Sequence, residues 1–168
     1  MKNDSIDFLL TQWQAQRPDL ETSPLGLLGR ILRAEKYLAS RLTMLLQAHH
    51  LQIGEYDVLV TLRTIGAPYR STPGELMETL LLSSGAMTNR IDGLEKKRLV
   101  QREPSYRDRR SIEVLLTPQG LRLIDKLMVE YIETTKDAFK HLSTEEQQEL
   151  TSLLRRLLEG LEPTRRQK

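Results

Sequence analysis

Residues 72–116 read TPGELMETLLLSSGAMTNRIDGLEKKRLVQREPSYRDRRSIEVLL. Thr72, with Pro73 behind it and Glu75 three positions on, has the spacing of a capping box with proline at the first helical position, so a short helix is predicted to run to about Leu81. Ser83-Ser84-Gly85 supplies a turn and a fresh N-cap. Met87, Ile91 and Leu94 then recur at i, i+4 and i+7 and predict a second helix to about Lys97. Beyond it the period changes from helical to alternating. Leu99 to Glu103 and Ser111 to Leu116 read as two strands of a hairpin, and the segment between them, Pro104 to Arg110, is a long basic tip.

On the N-terminal side, Ile6, Leu9, Leu10 and Trp13 predict an amphipathic helix from Ser5 to Gln16. Pro18 and Pro24 bracket a polar loop after it. A long helix follows from Leu25 to His49, and another from about Glu55 to Ile65, ended by Gly66. On the C-terminal side, Thr117-Pro118 caps a long helix to about Leu142. Ser143 and Glu146 form a second capping box, opening a helix whose Leu150, Leu153, Leu154, Leu157, Leu158 and Leu161 make an apolar stripe. These flanking helices carry more apolar surface than one small lobe can hide, which points to a homodimer. The implied organisation is an extra N-terminal helix and loop over residues 1–24, a main domain over 25–163 with its core lobe at about 54–117, and a frayed tail at 164–168.

The 168 residues are enough for a substantial core. Cysteine is absent, which excludes disulfides, Cys-ligated metals and thiol redox sensing. His49 and His50 are adjacent and point about 100° apart on a helix, so they do not share a metal. No phosphate loop or nucleophile signature occurs, and the chain is expected to be neither an enzyme nor a cofactor binder. No signal-peptide pattern is present, nor any run near the roughly 20 apolar residues of a membrane span, so a cytoplasmic location is expected. The formal net charge is only +2, but between Ser83 and Ser111 eight basic residues face four acidic ones. A basic patch confined to one supersecondary unit is what a nucleic-acid contact surface looks like, although solvated faces can look similar.

Helix, tight turn, helix, strand, basic loop and strand, in that order, make a winged helix-turn-helix, here α+β and mostly helical with N- and C-terminal dimerisation helices. The segments Leu94-Glu95-Lys96-Lys97-Arg98-Leu99-Val100, Asp108-Arg109-Arg110-Ser111 and Leu116-Thr117-Pro118-Gln119-Gly120 resemble the recognition-helix end, wing and wing exit of the MarR family. The resemblance spans about Leu27 to Leu161 and implies a dimeric regulator, expected to be a repressor, on pseudo-palindromic double-stranded DNA. Ser84, Gly85, Thr88 and Asn89 lie off the apolar stripe near the start of the recognition helix, where small and amide groups can read base edges or phosphates; a solvated helix start would look the same. The family's Asp-x-Arg wing pattern falls on Asp108 and Arg110. It implies a carboxylate that orients a guanidinium into the minor groove, with Arg107 and Arg109 on phosphates.

Trp13, Asp57, Arg90 and Arg102 occupy positions that resemble the urate-responsive branch of that family, as does the segment Gln16-Arg17-Pro18-Asp19-Leu20. Helical angles put Arg90 about 60° from Met87, on the inward side of the recognition helix. A guanidinium there needs a partner, and a purine anion would be one. Plainer roles stand beside this. Trp13 can be a core anchor, Asp57 suits a helix's first turn, Arg102 can bind phosphate, and Arg90 can pair with a core carboxylate. The expected function is a DNA-binding regulator released by urate or a related purine; the alternatives are another aromatic anion or a winged-helix protein-interaction module.

Overall fold

A computed structural model describes residues 3–106, 108 and 110–161. Its elements in chain order are α1 (Ser5–Gln16), α2 (Ser23–Ala48), α3 (Ile53–Ile65), β1 (Arg70–Ser71), α4 (Pro73–Leu80), α5 (Ser84–Lys96), β2 (Val100–Pro104), β3 (Ile112–Leu116), α6 (Pro118–Phe139) and α7 (Thr144–Leu161). They fall into two compact units, Met1–Tyr131 and Ile132–Lys168.

In the first unit the short-range signals form as predicted. Thr72 Oγ1 accepts the Glu75 N–H at 3.2 Å while the Glu75 carboxylate accepts the Thr72 N–H at 2.9 Å, so both orphan donors at the start of α4 are satisfied. Ser83 caps α5 by accepting the Ala86 N–H at 3.4 Å. Met87, Ile91 and Leu94 are each at most 1% exposed, and they join Leu59, Leu62 and Leu76 from α3 and α4 in one core. The two wing strands pair antiparallel, from Val100 opposite Leu116 to Pro104 opposite Ile112.

Three features differ from expectation. A third strand, β1, pairs Arg70 with Leu115 and Ser71 with Val114, giving the sheet order β1-β3-β2. Two residues carry no period of their own, so only the β3 edge defines this strand. α3 begins at Ile53 rather than Glu55, because the Glu55 carboxylate turns back to accept the Gln52 N–H at 2.8 Å. Glu55 is thus the third residue of its helix. α2 starts at Ser23, with Pro24 inside its first turn, where a missing N–H costs nothing.

α1 is fastened to α2. Arg30 donates to Asp4 at 2.9 Å and to Asp7 at 2.5 Å, and Ile6 lies against Gly29. In the second unit, Ser143 and Glu146 exchange the two capping-box bonds at 3.2 and 2.7 Å. No residue of α7 is buried, and its six stripe leucines are between 37% and 69% exposed. Among the described residues no helix is long and apolar enough to cross a membrane, and no cluster of metal-ligating side chains occurs.

Candidate nucleic-acid interface

α5 buries its stripe and turns Ser84, Gly85, Thr88 and Asn89 outward, all four exposed. A Cβ added at Gly85 would meet nothing within 4 Å, so this first turn is open to a large partner. The four residues sit at the helix N-terminus, where the macrodipole and unbonded N–H groups favour negative charge.

The wing rises from the same sheet. Its neck is closed by the Ser105 N–H donating to the Ser111 carbonyl at 2.9 Å, and its tip by the Ser111 N–H and hydroxyl, both donating to the Asp108 carbonyl at 2.9 Å. Asp108 and Arg110 are exposed; Arg107 and Arg109 lie outside the described residues. The Asp108 carboxylate makes a different bond from the one the Asp-x-Arg pattern implied. Its Oδ1 accepts the Arg110 backbone N–H at 2.9 Å, so it folds the turn that presents the arginine and does not hold the guanidinium itself.

Of the six described basic residues in this region, three are held by carboxylates within the unit. Lys97 Nζ donates to both oxygens of Glu55 at 2.7 and 2.6 Å and to the His50 carbonyl at 2.8 Å. Arg102 on β2 donates to Asp92 at 2.5 Å and also to Glu95, bracing the end of α5 against the sheet. Arg90 Nη1 lies 3.5 Å from Asp57 Oδ2, a long contact for an ion pair. Lys96, Arg98 and Arg110 remain exposed. The basic run is therefore partly internal bracing.

Of the four residues assigned to an effector, Asp57 and Arg90 are brought together, linking α3 to the inward side of α5. The Arg90 guanidinium packs over Gly54, where an added Cβ would fall 2.5 Å from Nε. Burial pushes the Asp57 carboxyl above its ordinary value, and the nearby Arg90 charge offsets this only in part. Trp13 is on α1 and 44% exposed, although its spacing puts it in line with Ile6 and Leu10. Arg102 is engaged with Asp92 and Glu95 as described.

Two features escaped sequence reasoning, the Glu55–Lys97 pair and a buried Glu113 on β3 held by Ser105 and Arg70. The first had a signal, since Gln52 and Glu55 have capping spacing. The second had none, because alternation alone does not say which strand face is covered.

A family model described as MarR family matches residues 50–111, from just after α2 through the wing tip. The chain is similar to the HTH-type transcriptional regulator PecS of Dickeya dadantii, with 32% identity over 152 residues, covering 90% of this chain and 92% of that one. Among solved structures it resembles AbsC, a MarR family transcriptional regulator from Streptomyces coelicolor, at TM-score 0.72 and 25% identity over 84% of this chain and 96% of AbsC. It also resembles a mutant MarR from E. coli complexed with operator DNA, at TM-score 0.66 and 25% identity over 82% and 97% of the two chains. These relatives are regulators and not enzymes. With its winged helix-turn-helix, the outward polar face of α5 and similarity over nine-tenths of its length, the chain belongs to the MarR family of transcriptional regulators.

Proposed function

We propose that this protein is a dimeric, cytoplasmic regulator, acting as a repressor, that holds a pseudo-palindromic DNA duplex through α5 and the wing and releases it when urate or a related aromatic anion draws Arg90 away from Asp57. In this reading Ser84, Gly85, Thr88 and Asn89 face the major groove, and Arg110, with Arg107 and Arg109, serves the flanks.

The observation that carries the effector reading is the Arg90–Asp57 contact. The guanidinium is on the recognition helix, is 27% exposed, and is held by one long contact at 3.5 Å to a carboxylate whose charge burial already disfavours. A planar anion offering two acceptors would bind it better than Asp57 does. Gly54, having no side chain, lets the guanidinium lie beside the N-terminus of α3, an end that favours negative charge. Trp13 offers an aromatic face for stacking. Arg102 joins only by exchanging Asp92 and Glu95 for the ligand.

Urate is expected to lower DNA affinity, and Arg90→Ala to abolish most of that response while leaving the fold intact; a typical allosteric coupling of about 1–3 kcal/mol is the size of effect to look for in a mobility-shift titration. The pH dependence follows. An anion beside Asp57 raises its carboxyl further, so the liganded protein binds more protons than the free one. Affinity should therefore increase as pH falls toward the carboxylate range, while urate stays anionic, and Asp57→Asn should remove that slope. Trp13, the only tryptophan, reports binding directly. If saturating urate changes neither its emission nor the DNA shift and another aromatic acid changes both, the effector is that other acid.

Homodimerisation is supported by α7, whose leucine stripe has no cover within the described residues of its own unit. Sedimentation at micromolar concentration is expected to give twice the 19.4 kDa chain mass. A stable monomer would remove the palindromic geometry.

A further inference from the structure

At its wing end, β3 covers the residue whose chemistry suits solvent and exposes the one that does not. Ile112 is 51% exposed, whereas the adjacent Glu113 is 5% exposed. The Glu113 carboxylate has partners from two other segments. Ser105 Oγ, on a residue only 3% exposed, donates to its Oε1 at 2.8 Å, and Arg70 Nη1 from β1 donates to its Oε2 at 3.2 Å. The Arg70 guanidinium also lies 4.0 Å from the Glu103 carboxylate and 5.6 Å from the centre of the Tyr106 ring. Its Nε is buried without a hydrogen-bond partner among the described residues.

Stability alone does not account for this arrangement. A buried carboxylate–guanidinium pair is commonly no better than a well-packed apolar pair of the same volume, and a buried N–H left unbonded makes it worse. Val114, Leu115 and Leu116 continue the strand as apolar residues, so a leucine at 113 would extend their pattern. What a carboxylate adds is direction, because its two oxygens accept along defined lines. Here those lines join three places. Arg70 stands two residues before Thr72, the cap of α4; Glu113 is on the strand returning from the wing; Ser105 is where the wing leaves β2 and closes the neck on Ser111.

We infer that Glu113 is a positioning residue for the wing: held by Arg70 and Ser105, it sets the direction in which the tip bearing Asp108 and Arg110 leaves the sheet relative to the helix-turn-helix, and so governs the wing's share of DNA binding. The inference rests on the proposal that Arg110 contacts DNA.

A double-mutant cycle tests it, using the full chain and a duplex selected from random-sequence DNA by the wild-type protein. Glu113→Leu should still fold but melt below wild type, because Arg70 loses its nearer carboxylate, and at temperatures well below its melting point it should bind this duplex about tenfold more weakly. Arg110→Ala should weaken wild type by a similar factor yet cost the Glu113→Leu protein little, since a misdirected wing has no contact left to lose. Glu113→Gln, which keeps an acceptor for Ser105, should recover part of the affinity. Wild-type affinity in Glu113→Leu, or two losses that multiply independently, would overturn the positioning role while leaving the Arg110 contact in place. If Glu113→Leu does not fold, Ser105→Ala takes its place in the same cycle. An Arg110→Ala protein with unchanged affinity at physiological salt removes the wing contact itself, and this role of Glu113 with it.

Discussion

Gly120→Ala is expected to destabilise the protein by about 3 kcal/mol, the upper end for overpacking at a single site. A Cβ at this position would sit 1.9 Å from the Leu99 carbonyl oxygen and 2.9 Å from its carbon, both backbone atoms that cannot swing aside. Neither side can retreat. The Leu99 carbonyl accepts the Thr117 N–H at 3.1 Å, and the Gly120 N–H donates to Thr117 Oγ1 at 3.0 Å, so the first turn of α6 is fastened onto the corner between α5 and β2. Denaturant unfolding measures the loss. Gly85→Ala is the control, because its Cβ meets nothing and alanine improves helix propensity by about 1 kcal/mol. If both variants unfold like wild type, the close approach at Gly120 is not a constraint.

Lys97→Met is expected to cost about 3 kcal/mol, the lower end for removing one partner of a buried ion pair, since Lys97 itself is 35% exposed. The cost arises at the other partner. Glu55 is 5% exposed, wedged so close to Gly93 that a Cβ there would stand 2.6 Å from Oε1, and methionine leaves its carboxylate without a countercharge. Adding Glu55→Gln should restore part of the loss, because an amide oxygen can still accept the Gln52 N–H and no charge stays buried. The effect should reach DNA binding as well, since this pair ties the end of α5 to the start of α3. A urea midpoint shift equivalent to less than about 0.5 kcal/mol would class the pair with ordinary surface bridges.

These two sites differ in how far they could be read from the chain. Gly120 stands in a segment whose capping residues, Thr117 and Pro118, were plain, but nothing local announces that its α-carbon meets Leu99. The sequence pattern puts Glu55 at the start of a helix that begins two residues earlier, and its partner lies 42 residues away. Arg90 was more legible. Its angle from Met87 showed that it faces inward and must have a partner, and the structure supplies Asp57, 33 residues distant. The charge excess between Ser83 and Ser111 was legible only as a total, because pairing with Glu55, Asp57, Asp92 and Glu95 decides which cations remain available.

Local chemistry alone decided the helices of the DNA-reading unit, their caps at Thr72 and Ser83, the hairpin behind them and the outward set of Ser84, Gly85, Thr88 and Asn89. Such signals act within about four residues of chain, the reach of a cap or of one helical turn, so they are written contiguously. Tertiary structure decided the rest: that two residues at Arg70 become a strand, that Arg102 braces α5, and that Glu113 is covered while Ile112 is not. Each depends on which surfaces exclude water and which opposite charges meet across the fold, and burial and charge pairing are properties of the assembled chain.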